Sequence, residues 1–192
     1  VEHVRALPDG ANPGSCQTEL VYTAEDQLFR PAEGLPASEW INTRLNNLSA
    51  DKVEGKAQRI TVRFLTPTFL RAGGEVIRRP GFHHVFKRLR DRISALSVFF
   101  GDSPMEADFA ELGKRAEEVQ TVACESRWME RFRTSSKTRQ RHELSGFVGE
   151  ASYEGDLAEF LPWLTMGELI HIGKHAAWGN GWIEVRKARD EN

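Results

Sequence analysis

Cysteine is nearly absent from this chain: Cys16 and Cys124 are the only two in 192 residues. They fit no metal-ligand spacing, and we read them as reduced thiols of a cytoplasmic protein rather than as a disulfide. No apolar run approaches the ~20 residues that a bilayer-spanning helix requires, so no membrane partner is expected. An excess of one charge is also missing, since the formal net charge is −2. Hydrophobic residues at 40% and charged residues at 28% are ordinary for a globular protein. The length suffices for one good core, or for one domain with an appendage.

Several catalytic signatures are missing too. A phosphate loop needs a glycine five residues before Gly173, where Glu168 stands, and Ser or Thr after Lys174, where His175 stands. It would also lie between a strand and a helix, whereas Gly173 follows a helix and precedes a strand. A dinucleotide fingerprint fails on the same topology. Ser145 lacks the flanking glycines of a nucleophile elbow. The six histidines (His3, His83, His84, His142, His171 and His175) show no helical metal-ligand spacing with a carboxylate. We expect no metal and no cofactor. His171 and His175 could donate to phosphates, and His142 sits at the foot of a basic hairpin.

What the chain does contain is segregated charge. Residues 59–92 carry nine Lys and Arg against two acids, and residues 126–142 carry six against one. Residues 143–170 hold six acids and no Lys or Arg. Such blocks are most often solvated faces, but two basic blocks in one domain can form a stripe that neutralises phosphates.

Residues 1–58 are rich in turn formers. Val1–Leu7 and Glu19–Tyr22 read as short strands, and Phe29–Glu54 as a linker with one helical piece near Ser38–Leu45. From Arg59 the pattern sharpens. Ile60, Val62 and Phe64 alternate with polar residues as in a half-buried strand, which Pro67 limits. Apolar residues at steps of three and four predict a helix over Phe82–Phe100, stopped by Gly101. Ser103-Pro104-Met105-Glu106 reads as a capping box opening a second helix. Strands are expected over Val122–Phe132 and Glu143–Tyr153, joined by a long hairpin with a basic tip. Asp156 is expected to cap a helix that Pro162 kinks or delays, and Trp182–Val185 to form the last strand. The order is that of an α+β, ferredoxin-like (RRM-like) βαββαβ domain: an antiparallel sheet with helices on one face, here preceded by an N-terminal hairpin and linker. We place the boundary between residues 58 and 59.

Two segments carry the chemistry. The loop Gly173–Gly181 sets Gly173, Gly179 and Gly181 beside Lys174, His175, Trp178 and Asn180. Backbone amides, a cation and a ring in one bend suit a polyanion with flat bases. A plain turn needs fewer glycines and no lysine. The hairpin offers Arg127, Arg131 and Arg133 at alternate positions, expected on one face, and Lys137, Arg139 and Arg141 along the tip and return strand. Such a ribbon can clamp an RNA stem, or it can simply protect a sheet edge.

The run SGFVGEASYEGDLAEFLPWLTMGELIHIGKHAAWGNGWIEV, with the earlier ITVRFLTPTFLR, resembles the C-terminal half of the CRISPR-associated endoribonucleases that process precursor CRISPR RNA. These form the sixth Cas protein family, in the RAMP superfamily. The glycine-rich loop is the specific part of the likeness, which spans residues 59–185. The resemblance implies two ferredoxin-like domains in tandem. Val1–Phe29 would then close a first domain, residues 1–58 would be its remnant plus a linker, and residues 59–192 would be the second domain. It places the family's catalytic histidine in the first domain, so no catalytic residue is assigned here and the chain alone is expected to be inactive. It implies metal-independent cleavage, with a ribose 2′-OH attacking the adjacent phosphate. It also implies CRISPR repeat RNA as partner, held by Lys174, His175 and the hairpin arginines. The alternative is a non-catalytic RAMP subunit that holds CRISPR RNA beside other Cas proteins. A third reading is a ferredoxin-like protein whose loop binds a small anion or merely packs.

Overall fold

The structure is a computed structural model, and it describes residues 2–3, 20–23, 28–31, 37–49, 58–100, 105–134 and 139–187. The chain divides into two compact units, Val1–Trp40 and Ile41–Asn192. In the first, β1 (Glu2–His3), β2 (Leu20–Thr23) and β3 (Leu28–Pro31) form an antiparallel sheet in that order. The third strand lies where the sequence suggested a linker. The helical piece expected near Ser38–Leu45 is a full helix, α1 (Ala37–Ser49). Its second half belongs to the larger unit and buries Leu48 in that unit's core.

The larger unit is built on β4 (Gln58–Thr68), β7 (Gln120–Met129), β10 (Gly146–Gly155) and β11 (Ile183–Lys187). Between β4 and β7 come the short hairpin β5 (Leu70–Ala72) and β6 (Glu75–Ile77), then α2 (Phe82–Phe100) and α3 (Phe109–Glu118). Between β7 and β10 lies the ribbon β8 (Phe132–Thr134) and β9 (Arg141–Glu143), and α4 (Leu161–Ile170) precedes β11. The sheet order is β11-β4-β10-β7, antiparallel throughout, which is the ferredoxin-like arrangement the element order predicted.

Period-two alternation puts Ile60, Val62 and Phe64 of β4 and Ile183 and Val185 of β11 on the core face. The 3.6-residue repeat of α2 brings Phe82, Val85, Phe86, Leu89 and Ile93 against them. Phe82 meets the rings of Tyr153 and Phe160 edge-on at 5.3 and 5.1 Å. The opposite sheet face is a lattice of paired charges: Arg63 lies 3.7 Å from Glu150 and 3.3 Å from Glu184, and Arg59 lies 3.8 Å from Glu154. Among the described residues no helix is long and apolar enough to cross a membrane.

Several local expectations shift. β4 continues through Pro67, because Pro67 lies where the β10 register slips between Phe147 and Gly149 and no ladder N–H is demanded of it. The second helix does not start at the expected capping box. Ser103 and Pro104 lie outside the described residues, and residues 105–108 are not helical. Asp108 caps α3 instead, its carboxylate accepting from the Ala110 and Glu111 amides at 3.1 and 2.9 Å. Asp156 caps nothing, because Leu157–Phe160 forms a turn and α4 begins at Leu161 with Pro162 in its first turn. The expected strand Val122–Phe132 is two strands, broken where the Leu144 amide donates to the Arg131 carbonyl and the Arg131 amide to Ser145 Oγ. Arg127 therefore lies in β7 and Arg133 in β8, with Arg131 between them, rather than on one alternating strand.

Candidate nucleic-acid interface

The glycine-rich segment is a bend clamped onto β4 and its continuation. The Gly181 amide donates to Pro67 O at 3.1 Å, the Lys174 amide to Phe69 O at 3.1 Å, and the Trp182 amide to Thr66 Oγ1 at 2.9 Å. Within the bend, the Ile172 amide donates to Gly181 O at 2.8 Å, and Ala176–Trp178 forms one 3₁₀ turn. Many of its amides thus serve the bend itself instead of lying open to a ligand. Two glycines are dictated by close approach. A Cβ at Gly181 would stand 1.8 Å from Ile172 O, and one at Gly173 would stand 2.5 Å from Phe69 O. Asn180 is buried, and its side-chain Nδ2 donates to Leu144 O at 3.0 Å. That bond ties the bend to the chain just after β9.

The exposed side chains of the bend are Lys174, Ala177 and Trp178. The Lys174 ammonium rests over the Phe69 ring at 5.7 Å. His175 adopts a left-handed backbone (φ 64°) and stacks its imidazole on Trp178, with centroids 5.0 Å apart and planes 9° from parallel. Burial pushes the His175 pKa down, and the neighbouring Lys174 charge adds to this. His171 is likewise lowered, chiefly by burial; its Nδ1 lies 3.2 Å from Asn180 O and its ring stacks on Trp182.

The ribbon comes to the same ring. Arg133 reaches over Trp178 at 5.6 Å, and His142 meets it edge-on at 5.3 Å. Arg141 lies over Phe132 at 3.7 Å. Arg127, Arg131, Arg133, Arg139 and Arg141 are all exposed. Lys137 lies outside the described residues. The ribbon and the bend thus share Trp178, and with it a face of exposed cations and rings.

Part of the other basic block is engaged in pairing. Arg59 and Arg63 belong to the paired outer face of the sheet, Lys87 pairs with Glu117, and Arg90 binds Asp91 and the Phe109 carbonyl. Arg71 lies over Phe69 at 5.8 Å and Arg78 over Trp128 at 4.6 Å. Of the receiving rings, Trp178 is the ring the sequence placed in the bend, whereas Phe69 and Phe132 were not among the candidate residues. Their signal was the interleaving of rings with basic residues in Arg131-Phe132-Arg133 and in the bend. Among the described residues, no group of three or more His, Cys, Asp or Glu is placed to hold a metal ion.

A split βαβ sheet with a clamped glycine-rich bend beside a basic ribbon defines a ferredoxin-like domain with one edge of exposed cations and rings. A family model described as CRISPR-associated endoribonuclease Cas6 matches residues 62–183, and the chain belongs to that family. Among solved structures, a Cas6 product complex is 20% identical with a TM-score of 0.50, the match covering 89% of this chain and 68% of that one. A Thermus thermophilus Cas6 is 16% identical with a TM-score of 0.54, covering 82% and 65%. A partial Cas6-RT-Cas1–Cas2 complex is 12% identical with a TM-score of 0.58, covering 83% of this chain and 28% of that one. These likenesses establish the fold. The chain spans about two thirds of the Cas6 structures and a smaller share of the larger assembly. No curated protein matches it in sequence.

Proposed function

We propose that this chain is the RNA-binding part of a ribonuclease that processes precursor CRISPR RNA. In that reaction a ribose 2′-OH attacks the adjacent phosphate, leaving a 2′,3′-cyclic phosphate and a 5′-OH. The chain's residues seat the substrate: Lys174, Arg133, Arg139 and Arg141 neutralise phosphates, and Trp178 and Phe132 offer faces to unpaired bases. Held there, the strand presents its scissile bond in line for attack. No general base is assigned to this chain. The observation that carries the reading is the convergence of Arg133, His142 and His175 on the half-exposed Trp178, which joins bend and ribbon into one surface. Other Cas proteins are the expected protein partners.

The test is binding of a labelled CRISPR repeat RNA from the same locus, together with end-group analysis of RNA cut by the full-length protein in chelator. Replacing Arg133 and Arg141 together should weaken binding at least tenfold, and the products should end in cyclic phosphate. Undiminished binding by that double variant overturns the interface. Absence of cyclic-phosphate ends, with binding intact, leaves the chain a non-catalytic RNA holder.

A further inference from the structure

A groove of about 480 Å³ opens between β5, the C-terminal half of α2 and the residues Gly173–Lys174. That volume lies in the range that holds one small ligand, roughly 300–1,000 Å³. Its apolar wall includes the buried Leu70 together with Ala95, Leu96 and Phe99. Phe99 is 77% exposed, a large ring left uncovered beside the opening.

The charged lining is lopsided, with Arg71, Arg88, Arg92 and Lys174 against the single carboxylate of Asp91. Asp91 is already engaged by Arg90 at 2.7 Å and by Arg88 at 3.4 Å. Two of the arginines are anchored on carbonyls. Arg88 donates through Nε and Nη2 to Arg71 O at 3.0 and 2.7 Å, and Arg92 through Nε to Ile170 O at 2.8 Å. A carbonyl holds a guanidinium in place without cancelling its charge. The result is fixed positive charge beside an apolar slot, a combination suited to a phosphate with a flat base attached.

Lys174 links the groove to the bend. Its amide is bonded to Phe69 O, its ammonium lies over the Phe69 ring, and its side chain lines the groove. Phe69 in turn meets Trp128 edge-on at 6.1 Å, and Trp128 carries Arg78. Rings and cations thus continue from β7 to the groove mouth.

We infer that this groove is a nucleotide subsite that takes one unpaired nucleotide of the RNA held by bend and ribbon. The base lies against Leu70, Ala95 and Leu96 beside Phe99, and its phosphate meets Lys174 and Arg92. The inference rests on the RNA-binding reading above and adds a place where a single base is withdrawn from solvent. The rival occupant is an acidic, apolar segment of a partner protein. A stable protein interface buries roughly 1,200–2,000 Å², far more than one groove for one ring supplies, and Lys174 ties the groove to the RNA face.

The experiment uses the repeat RNA with 4-thiouridine placed at each unpaired position in turn, cross-linked to the full chain and mapped by mass spectrometry. One or a few positions should cross-link to peptides containing Phe69 or Phe99. Phe99→Ala, which removes an exposed ring and leaves the core intact, should weaken binding of that RNA about fivefold or more, as expected for a lost stacking contact. It should have no effect on RNA that is abasic at the same position. Cross-links confined to the ribbon and bend, with Phe99→Ala binding like wild type, overturn the subsite, while the RNA-binding reading stands. If the double variant with Arg133 and Arg141 both replaced also leaves binding unchanged, the RNA reading itself falls and the subsite with it.

Discussion

Arg44 grips Glu168 through a two-pronged ion pair: Nε and Nη2 each donate to a carboxylate oxygen at 2.9 Å. The same Nη2 donates to Val185 O at 2.7 Å, and Glu168 Oε1 accepts from the Val185 amide at 2.6 Å. One buried carboxylate therefore fastens α1, α4 and β11 together. Its hydrogen bond is the main reason the Arg44 guanidinium is held above its ordinary pKa. The side chain of Glu168 is 6% exposed and that of Arg44 28%. Arg44→Ala leaves a buried charge without its partner, which costs about 3 kcal/mol, the lower end of the usual range because Arg44 is partly solvated. Thermal unfolding should show a loss of roughly 6–12 °C for a chain of this size. Arg44→Lys should recover only part of it, because an ammonium cannot make the planar fork.

Gly179 and Gly181 separate two reasons for glycine. Both have positive φ, 86° and 74°, but a Cβ at Gly179 meets nothing within 4 Å, whereas one at Gly181 collides with Ile172 O. Gly179→Ala should cost about 1 kcal/mol of backbone strain and leave the bend in place. Gly181→Ala should break the Gly181–Pro67 and Ile172–Gly181 hydrogen bonds and detach the bend. Trp178 fluorescence, read with His175 and His142 beside it, should change for the second variant and not for the first.

The imidazoles of His83 and His84 meet at 3.0 Å, Nε2 to Nε2, at the start of α2. His84 Nδ1 accepts from the Gly81 amide at 3.1 Å, so its proton sits on Nε2 and points at His83. Both pKa values are lowered, first by burial, then by Lys87 for His83 and by His83 and Lys87 for His84. Glu117 opposes this at His83 but is itself paired with Lys87. A histidine that binds its proton less tightly when folded yields to the unfolded chain as pH falls. The stability is intact above the ordinary histidine value of about 6.5 and declines below it. Melting temperature should drop between about pH 7 and pH 5. Replacing both residues with asparagine should flatten that slope; an unaltered slope would assign it to other groups.

How much of this was legible in sequence depends on range. Phe82–Phe100 was readable because its apolar stripe is local and regular, and Ile60, Val62 and Phe64 because their alternation is undisturbed. Glu168 drew notice only as the residue that spoils a phosphate loop. Its partner lies 124 positions away, and no local pattern announces such a pair. Asp108 was hidden behind a stronger-looking capping box a few residues earlier, although Asp108 and Glu111 stand at the same spacing. The break at Arg131 depends on Ser145 and Leu144 across the ribbon, so the expected alternation of Arg127, Arg131 and Arg133 overran it. At the interface the cations were evident as composition. Which ring receives each of them is set by the clamping of the bend onto Pro67 and Phe69, a tertiary fact.

The paired and outward-facing arginines should differ in their response to salt. Arg63 sits between Glu150 and Glu184 on the sheet's outer face, so a phosphate would have to compete with two carboxylates for it. Arg133 faces Trp178, and Arg141 faces Phe132, rings that leave their charge uncancelled. A cation that contacts a phosphate releases condensed counterions, and removing it lowers the slope of log affinity against log salt by about 1. Arg133→Ala and Arg141→Ala should each weaken repeat-RNA binding and each flatten that slope by about this amount. Arg63→Ala should change neither. Trp178→Ala should weaken binding by about 1–3 kcal/mol while leaving the slope unchanged, because a stacking ring displaces no counterions. Titrations of the four variants at several salt concentrations check all of this, and a slope unmoved by Arg133→Ala would remove that arginine from the phosphate-binding set.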